Sequence, residues 1–177
     1  MSELKLLGIS GALREGSFNR KLLREAARVS GAHLTEANLR LPLYDGDLEE
    51  NEGIPADVQV LADQIAAADA VLIATPEYNQ SFSGVLKNAL DWVSRVENNP
   101  WQDKPVAIIA AAAGRAGGAR AQYALRLAMT PFQPNLLTGP EVSVAQSYAE
   151  FDENGQLTND RYLASLGEVV KRLQAAV

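Results

Sequence analysis

Apolar runs of strand length, at residues 4–9, 70–74 and 106–113, alternate with longer stretches whose apolar residues recur at helical spacing. That alternation constrains the fold more than any other feature. Parallel strands need a crossover of about a dozen residues or more between them, and a helix supplies it. The helical stripes are clear at Leu22, Leu23 and Ala26, at Val58, Leu61 and Ile65, at Leu86, Leu90 and Val93, over residues 119–129, and at Leu166, Val169 and Leu173. A second strand alternates loosely over residues 33–39, and a fifth lies within 135–144, interrupted by Gly139-Pro140. The acidic stretch with Asp45, Asp47, Glu49, Glu50 and Glu52 reads as a solvated loop. Five strands and five helices result, in one α/β domain over residues 1–177 with a doubly wound parallel sheet and an expected strand order of 2-1-3-4-5.

Composition removes several functional classes. Sixteen Lys and Arg against 22 Asp and Glu give a net charge of −6, the wrong sign for condensing on phosphate backbones, so nucleic acid is not expected as a partner. With no cysteine there is no disulfide, thiolate nucleophile or iron–sulfur cluster. His33 is the only histidine, has no companion for a metal site, and reads as structural or superficial. No apolar run reaches the ~18 residues that crossing a bilayer requires, and the first residues lack a leader pattern. The expectation is a cytoplasmic protein without membrane insertion.

Three loops of unusual chemistry each follow the carboxyl end of an expected strand. In open doubly wound sheets ligands bind there, where strand order reverses. The first loop, Ser10-Gly11-Ala12-Leu13-Arg14-Glu15-Gly16-Ser17-Phe18-Asn19, offers glycines, short polar donors, a guanidinium and a following helix N-terminus, which together suit a phosphate. It is neither a Walker A loop nor a G-x-G-x-x-G fingerprint, and an ordinary turn capped by Ser17 or Asn19 is the plainer alternative. The second loop, Pro76-Glu77-Tyr78-Asn79-Gln80-Ser81-Phe82-Ser83-Gly84, has the aromatic, amide and hydroxyl groups to line a flat heteroaromatic ring, unless Tyr78 and Phe82 simply complete the core. The third, Gly114-Arg115-Ala116-Gly117-Gly118, lets a ring or chain pass close to backbone. Glu77 either faces a basic group, such as Arg95 across a dimer, or is solvated. Arg115 is placed to attract the phosphates of a nucleotide.

Read together, a phosphate seat beside an aromatic slot describes a mononucleotide site. The runs 11–19, Thr75-Pro76-Glu77-Tyr78-Asn79, Gly84-x-Leu86-Lys87-Asn88-Ala89-x-Asp91-Trp92 and Gly117-Gly118-Ala119-Arg120 resemble the NADPH-dependent FMN reductase family, closest to its bacterial NAD(P)H:quinone and chromate reductases, with azoreductase relatives. The resemblance covers at least residues 4–129. It implies a flavodoxin-like three-layer α/β/α sandwich, bound FMN, NADPH or NADH as co-substrate, small-molecule electron acceptors, and a homodimer or a tetramer built from two dimers. It also implies that Arg14, Ser17 and Asn19, with Ser10 and Phe18 beside them, hold the FMN phosphate. Pro76, Glu77, Tyr78 and Asn79 would wrap the isoalloxazine, supported by Ser83, with Gly114 beside the ring. The chain departs from the family at Ala12, where a serine is common, at Gln80, and at residues 110–113, which lack a serine frequent before the glycine loop.

The flavin carries the chemistry in such a site, so no side chain is assigned as acid, base or nucleophile. Hydride would pass from the nicotinamide to the flavin N5 and then, in a ping-pong cycle, to a quinone, with chromate, ferric complexes, azo compounds or free flavin as other acceptors. A flavodoxin-type electron carrier without nicotinamide activity is the competing reading, disfavoured by Arg14, and a non-redox mononucleotide module is a third.

Overall fold

The computed structural model describes residues 3–177. One parallel sheet runs through the molecule. Its strands are β1 (Lys5–Ser10), β2 (His33–Glu36), β3 (Ala70–Thr75), β4 (Pro105–Ala111), β5 (Asn135–Leu136) and β6 (Ser143–Val144), in the order β2-β1-β3-β4-β5 with β6 further along the free side of β4. The helices are α1 (Phe18–Ser30), α2 (Gly46–Glu52), α3 (Ala56–Ala67), α4 (Gly84–Val93), α5 (Ala119–Met129) and α6 (Asp160–Ala175). This is the expected flavodoxin-like sandwich.

Every residue of β3 and β4 is buried, which explains why these strands read as unbroken apolar runs: both of their faces are covered. Successive side chains serve opposite layers. Leu6, Leu72 and Ile109 join Leu22, Leu23, Val169 and Leu173 beneath α1 and α6. Leu7, Ile73 and Ile108 join Ile65, Leu90 and Leu125 beneath α3, α4 and α5. Burying a Leu or Ile side chain contributes about 1.5–3 kcal/mol each, so the two layers dominate the stability of the domain.

One local expectation is corrected. The acidic connection is not all loop: Asp45 caps α2, its carboxylate accepting from the Asp47 backbone N–H at 3.0 Å. No residue of α2 is buried, so it has no apolar stripe for a periodicity reading to find. The fifth strand is interrupted as expected: it is two fragments on either side of Pro140, whose missing N–H cannot continue a ladder. Trp92 is wholly buried: its indole N–H donates to the Pro42 carbonyl at 2.8 Å, and Tyr44 packs on it edge-on at 5.0 Å. The segment before α2 folds over α4 and hides it.

Among the described residues no helix is long and apolar enough to cross a membrane.

Candidate cofactor site

Strand order reverses between β1 and β3, and β4 lies on the far side of β3. Ser10 is level with Ala74, and Thr75 with Ala110, so the three loops leave the sheet along one rim. Gly11 is pinned there by its N–H to the Ala74 carbonyl at 2.9 Å. A Cβ at Gly11 would stand 3.0 Å from both the Pro76 ring and the Ser83 hydroxyl, so a side chain there would crowd the contact between the first two loops.

The loops enclose a crevice of about 310 Å³ lined by Ala12, Arg14, Ser17 and Phe18 on one side, Pro76 and Tyr78 on another, and Ala111, Ala112 and Ala113 at its back. A second crevice of about 380 Å³ continues from it over Gly114, Arg115 and Arg120, with Glu77, Ala112 and Ala113 common to both. A larger groove of about 680 Å³ lies away from this rim; its charged walls are Glu49, Asp63, Glu97 and Arg95, and Arg95 is already paired with Glu49.

The first loop is rigidly made. Ser17 caps α1, its hydroxyl oxygen accepting from the N–H groups of Asn19 at 3.2 Å and Arg20 at 3.5 Å. Asn19, 3% exposed, spends its amide on β4, donating to the Ala111 carbonyl and accepting from the Ala111 N–H, both at 2.9 Å. Asn19 is therefore a clasp between the first loop and the back wall, with one N–H of its amide not engaged by β4. Ser10 serves the loop itself, exchanging 3.3 Å contacts with the N–H and C=O of Ala12. Ser83 is buried as the cap of α4, accepting from the Leu86 N–H at 3.3 Å, and stands behind the wall. Arg14 lies 5.8 Å from the Phe18 ring centre and makes no ion pair among the described residues.

The second loop is a tight hairpin. Tyr78 and Ser81 exchange backbone hydrogen bonds at 2.9 and 3.1 Å, with Asn79 and Gln80 at its tip at φ values of +50° and +65°. Such a two-residue turn wants positive φ at both positions, which Asn adopts more readily than Gln. Tyr78 is 54% exposed, so it does not complete the core. Phe82 does pack inward.

Among the described residues of one chain Glu77 makes no ion pair with Arg95, which binds Glu49 at 3.0 Å. Its carboxylate instead meets Arg120 of the same chain, accepting from the guanidinium and from the backbone N–H, each at 3.2 Å. The sequence reading missed Arg120 as a partner because 43 residues separate it from Glu77. It also missed Ser147, which lines the back of the first crevice, 1% exposed, with a hydroxyl that has no hydrogen-bond partner. Only the fold brings Ser147 there, through its N–H to the Ala112 carbonyl at 3.1 Å.

An unpaired guanidinium beside the start of a 13-residue helix, a floor of alanines, and an exposed tyrosine at the rim fit a phosphate-tailed flat ring. Among the described residues no group of three or more His, Asp or Glu could hold a metal ion.

The chain is similar to known proteins along nearly its whole length. The family model described as NADPH-dependent FMN reductase matches residues 4–149. An NAD(P)H-dependent FMN reductase of Pseudomonas aeruginosa is 43% identical over 97% of this chain and 94% of its own length. A quinone reductase of Escherichia coli K12 is 38% identical over 98% of this chain and 100% of its own. Among solved structures, the flavoenzyme NAD(P)H:(acceptor) oxidoreductase FerB from Paracoccus denitrificans superposes with a TM-score of 0.86 at 29% identity, covering 98% of both chains.

Proposed function

The chain belongs to the NADPH-dependent FMN reductase family, and from that premise we propose that it reduces quinones with electrons from NAD(P)H through FMN seated at the rim of β1, β3 and β4. It is an oxidoreductase with FMN as cofactor and NAD(P)H as donor. Arg14 and the first turn of α1 would hold the FMN phosphate, with Pro76, Glu77, Tyr78 and Asn79 along one edge of the ring and Gly114 near the other. The flavin, when bound, supplies the redox chemistry by accepting a hydride and passing its electrons on.

The protein contributes seating, orientation and access. Ser17 and Asn19 fix the first loop so that the phosphate seat exists before ligand arrives, which lowers the ordering cost of binding. The alanine floor brings a ring against backbone without charge or bulk. The open side toward Tyr78 and Arg115 leaves room for nicotinamide and acceptor to visit in turn, the geometry a ping-pong cycle needs. Chromate, ferric complexes, azo compounds and free flavin are further acceptors that such an open face admits. The reading includes a homodimer or tetramer working in the cytoplasm.

Arg14 carries this proposal: a cation at a helix start with no acidic partner among the described residues is a seat for an anion. The test is to load the protein with FMN, remove excess flavin, and mix it without oxygen with NADH or NADPH. The flavin absorbance near its visible maximum should bleach and return on adding a quinone. A chain that binds FMN but is bleached by neither nucleotide is an electron carrier instead.

A further inference from the structure

Gly118 forces α5 to begin unprotected. It occupies the N-cap position at φ +93° and brings no side chain to the exposed N–H groups of the first turn, which also contains no acidic residue. A Cβ there would come 2.6 Å from that of Ala110, so the helix starts flush against the end of β4. The anion that this helix end lacks comes from another loop: Glu77, just beyond β3, accepts from the Arg120 backbone N–H and from its guanidinium. Glu77 is only 14% exposed against 59% for Arg120, and it walls both crevices.

We infer that Glu77 is a clamp acting in two separable ways: its acceptor oxygen fixes the ring-side loop onto α5, while its charge, balanced by Arg120, sets the reduction potential of the flavin. This rests on the FMN reading above. A side chain that caps a helix contributes more than a solvated ion pair, so positioning comes mainly from the backbone contact. The potential responds to charge instead, because reduction adds electron density to the ring and nearby protein charges favour or oppose it. Glu77 alone would oppose reduction. Arg120 offsets it.

The two roles come apart under substitution. Glu77→Gln keeps a neutral acceptor, and Arg120→Gln keeps the backbone N–H, so neither should move the FMN Kd more than about threefold. They should shift the midpoint potential of bound flavin in opposite directions, Glu77→Gln upward and Arg120→Gln downward, and the double variant should return it toward the wild-type value. Glu77→Ala removes the cap and should weaken FMN by about five- to tenfold. Dissociation constants come from flavin fluorescence titration of the apoprotein, and potentials from equilibration with reference dyes. Single Gln variants that shift the potential the same way, or not at all, overturn the electrostatic role. A Glu77→Ala Kd within twofold of wild type overturns the positioning role, and should that variant fail to fold, the two Gln variants still decide the electrostatic one. Wild-type protein that takes up no FMN brings down the reading beneath the clamp, and the clamp with it.

Discussion

The two ends of the crevice are built on opposite plans. At the α1 end, Ser17, Asn19 and Ser10 are all committed to backbone within the protein, Ser17 and Asn19 are nearly inaccessible, and the seat is finished before any ligand arrives. At the ring end, Tyr78 is half exposed, the hairpin tip carries two residues at positive φ, and a single carboxylate ties the loop to its neighbour. The proposed function, one constant tail and several flat visitors, would call for rigidity divided in this way. Under the proposed function, affinity would come from the preorganised end and breadth of substrate from the adaptable one.

The sharpest way to break this contrast is Asn19→Ala. It strands the N–H and C=O of Ala111 in the interior, and we expect a loss of about 2–4 kcal/mol in urea unfolding of the apoprotein, with weaker FMN binding. A loss below about 1 kcal/mol means that the phosphate end is not held by this clasp. Next comes Gly118→Ala at the ring end, where a Cβ meets Ala110 and the backbone lies in the left-handed region. About 1–3 kcal/mol should disappear, and FMN should be held less well because α5 can no longer dock.

Gln80→Gly should act in the other direction. It relieves the strained tip and should add a few tenths to about 1 kcal/mol of stability without altering FMN affinity, since the side chain faces solvent. A large change in FMN affinity with this variant would show that the tip is part of the seat. The smallest effect belongs far from both ends, at Glu168, whose carboxyl is held below its usual range by the hydrogen bond from Arg172. A depressed carboxyl contributes stability above its unfolded-state pKa, and that contribution fades as pH falls through the native value. Both side chains are exposed, so Glu168→Gln should leave the thermal midpoint at neutral pH unchanged within error and slightly flatten its acid dependence.

The layered fold was legible because its signals are local. β3 and β4 announce burial on both faces through unbroken apolar runs, and α5 falls at the expected residues 119–129. The rim was legible too, since glycines and short polar residues cluster after the strands they follow. What stayed hidden depends on distance along the chain. Nothing in residues 76–84 says that Glu77 will meet Arg120, and nothing near Trp92 says that Pro42 will cover it. The bond from Asn19 to Ala111 stayed hidden because 92 residues separate the two. Helix α2 escaped because its stabilising features are a cap and charges rather than an apolar face.

The divided outer strand has a bearing on solubility. An open sheet invites foreign strands to add at its margins, and proteins discourage this with short, interrupted or charged borders. Here one border is two dipeptides separated by a proline, and the other is four residues ending in Glu36, which is occupied by Arg20 and Arg24. Neither offers a long template. The molecule can therefore stay crowded without polymerising edge to edge, and replacing Pro140 by a β-branched residue is where that protection would first be lost.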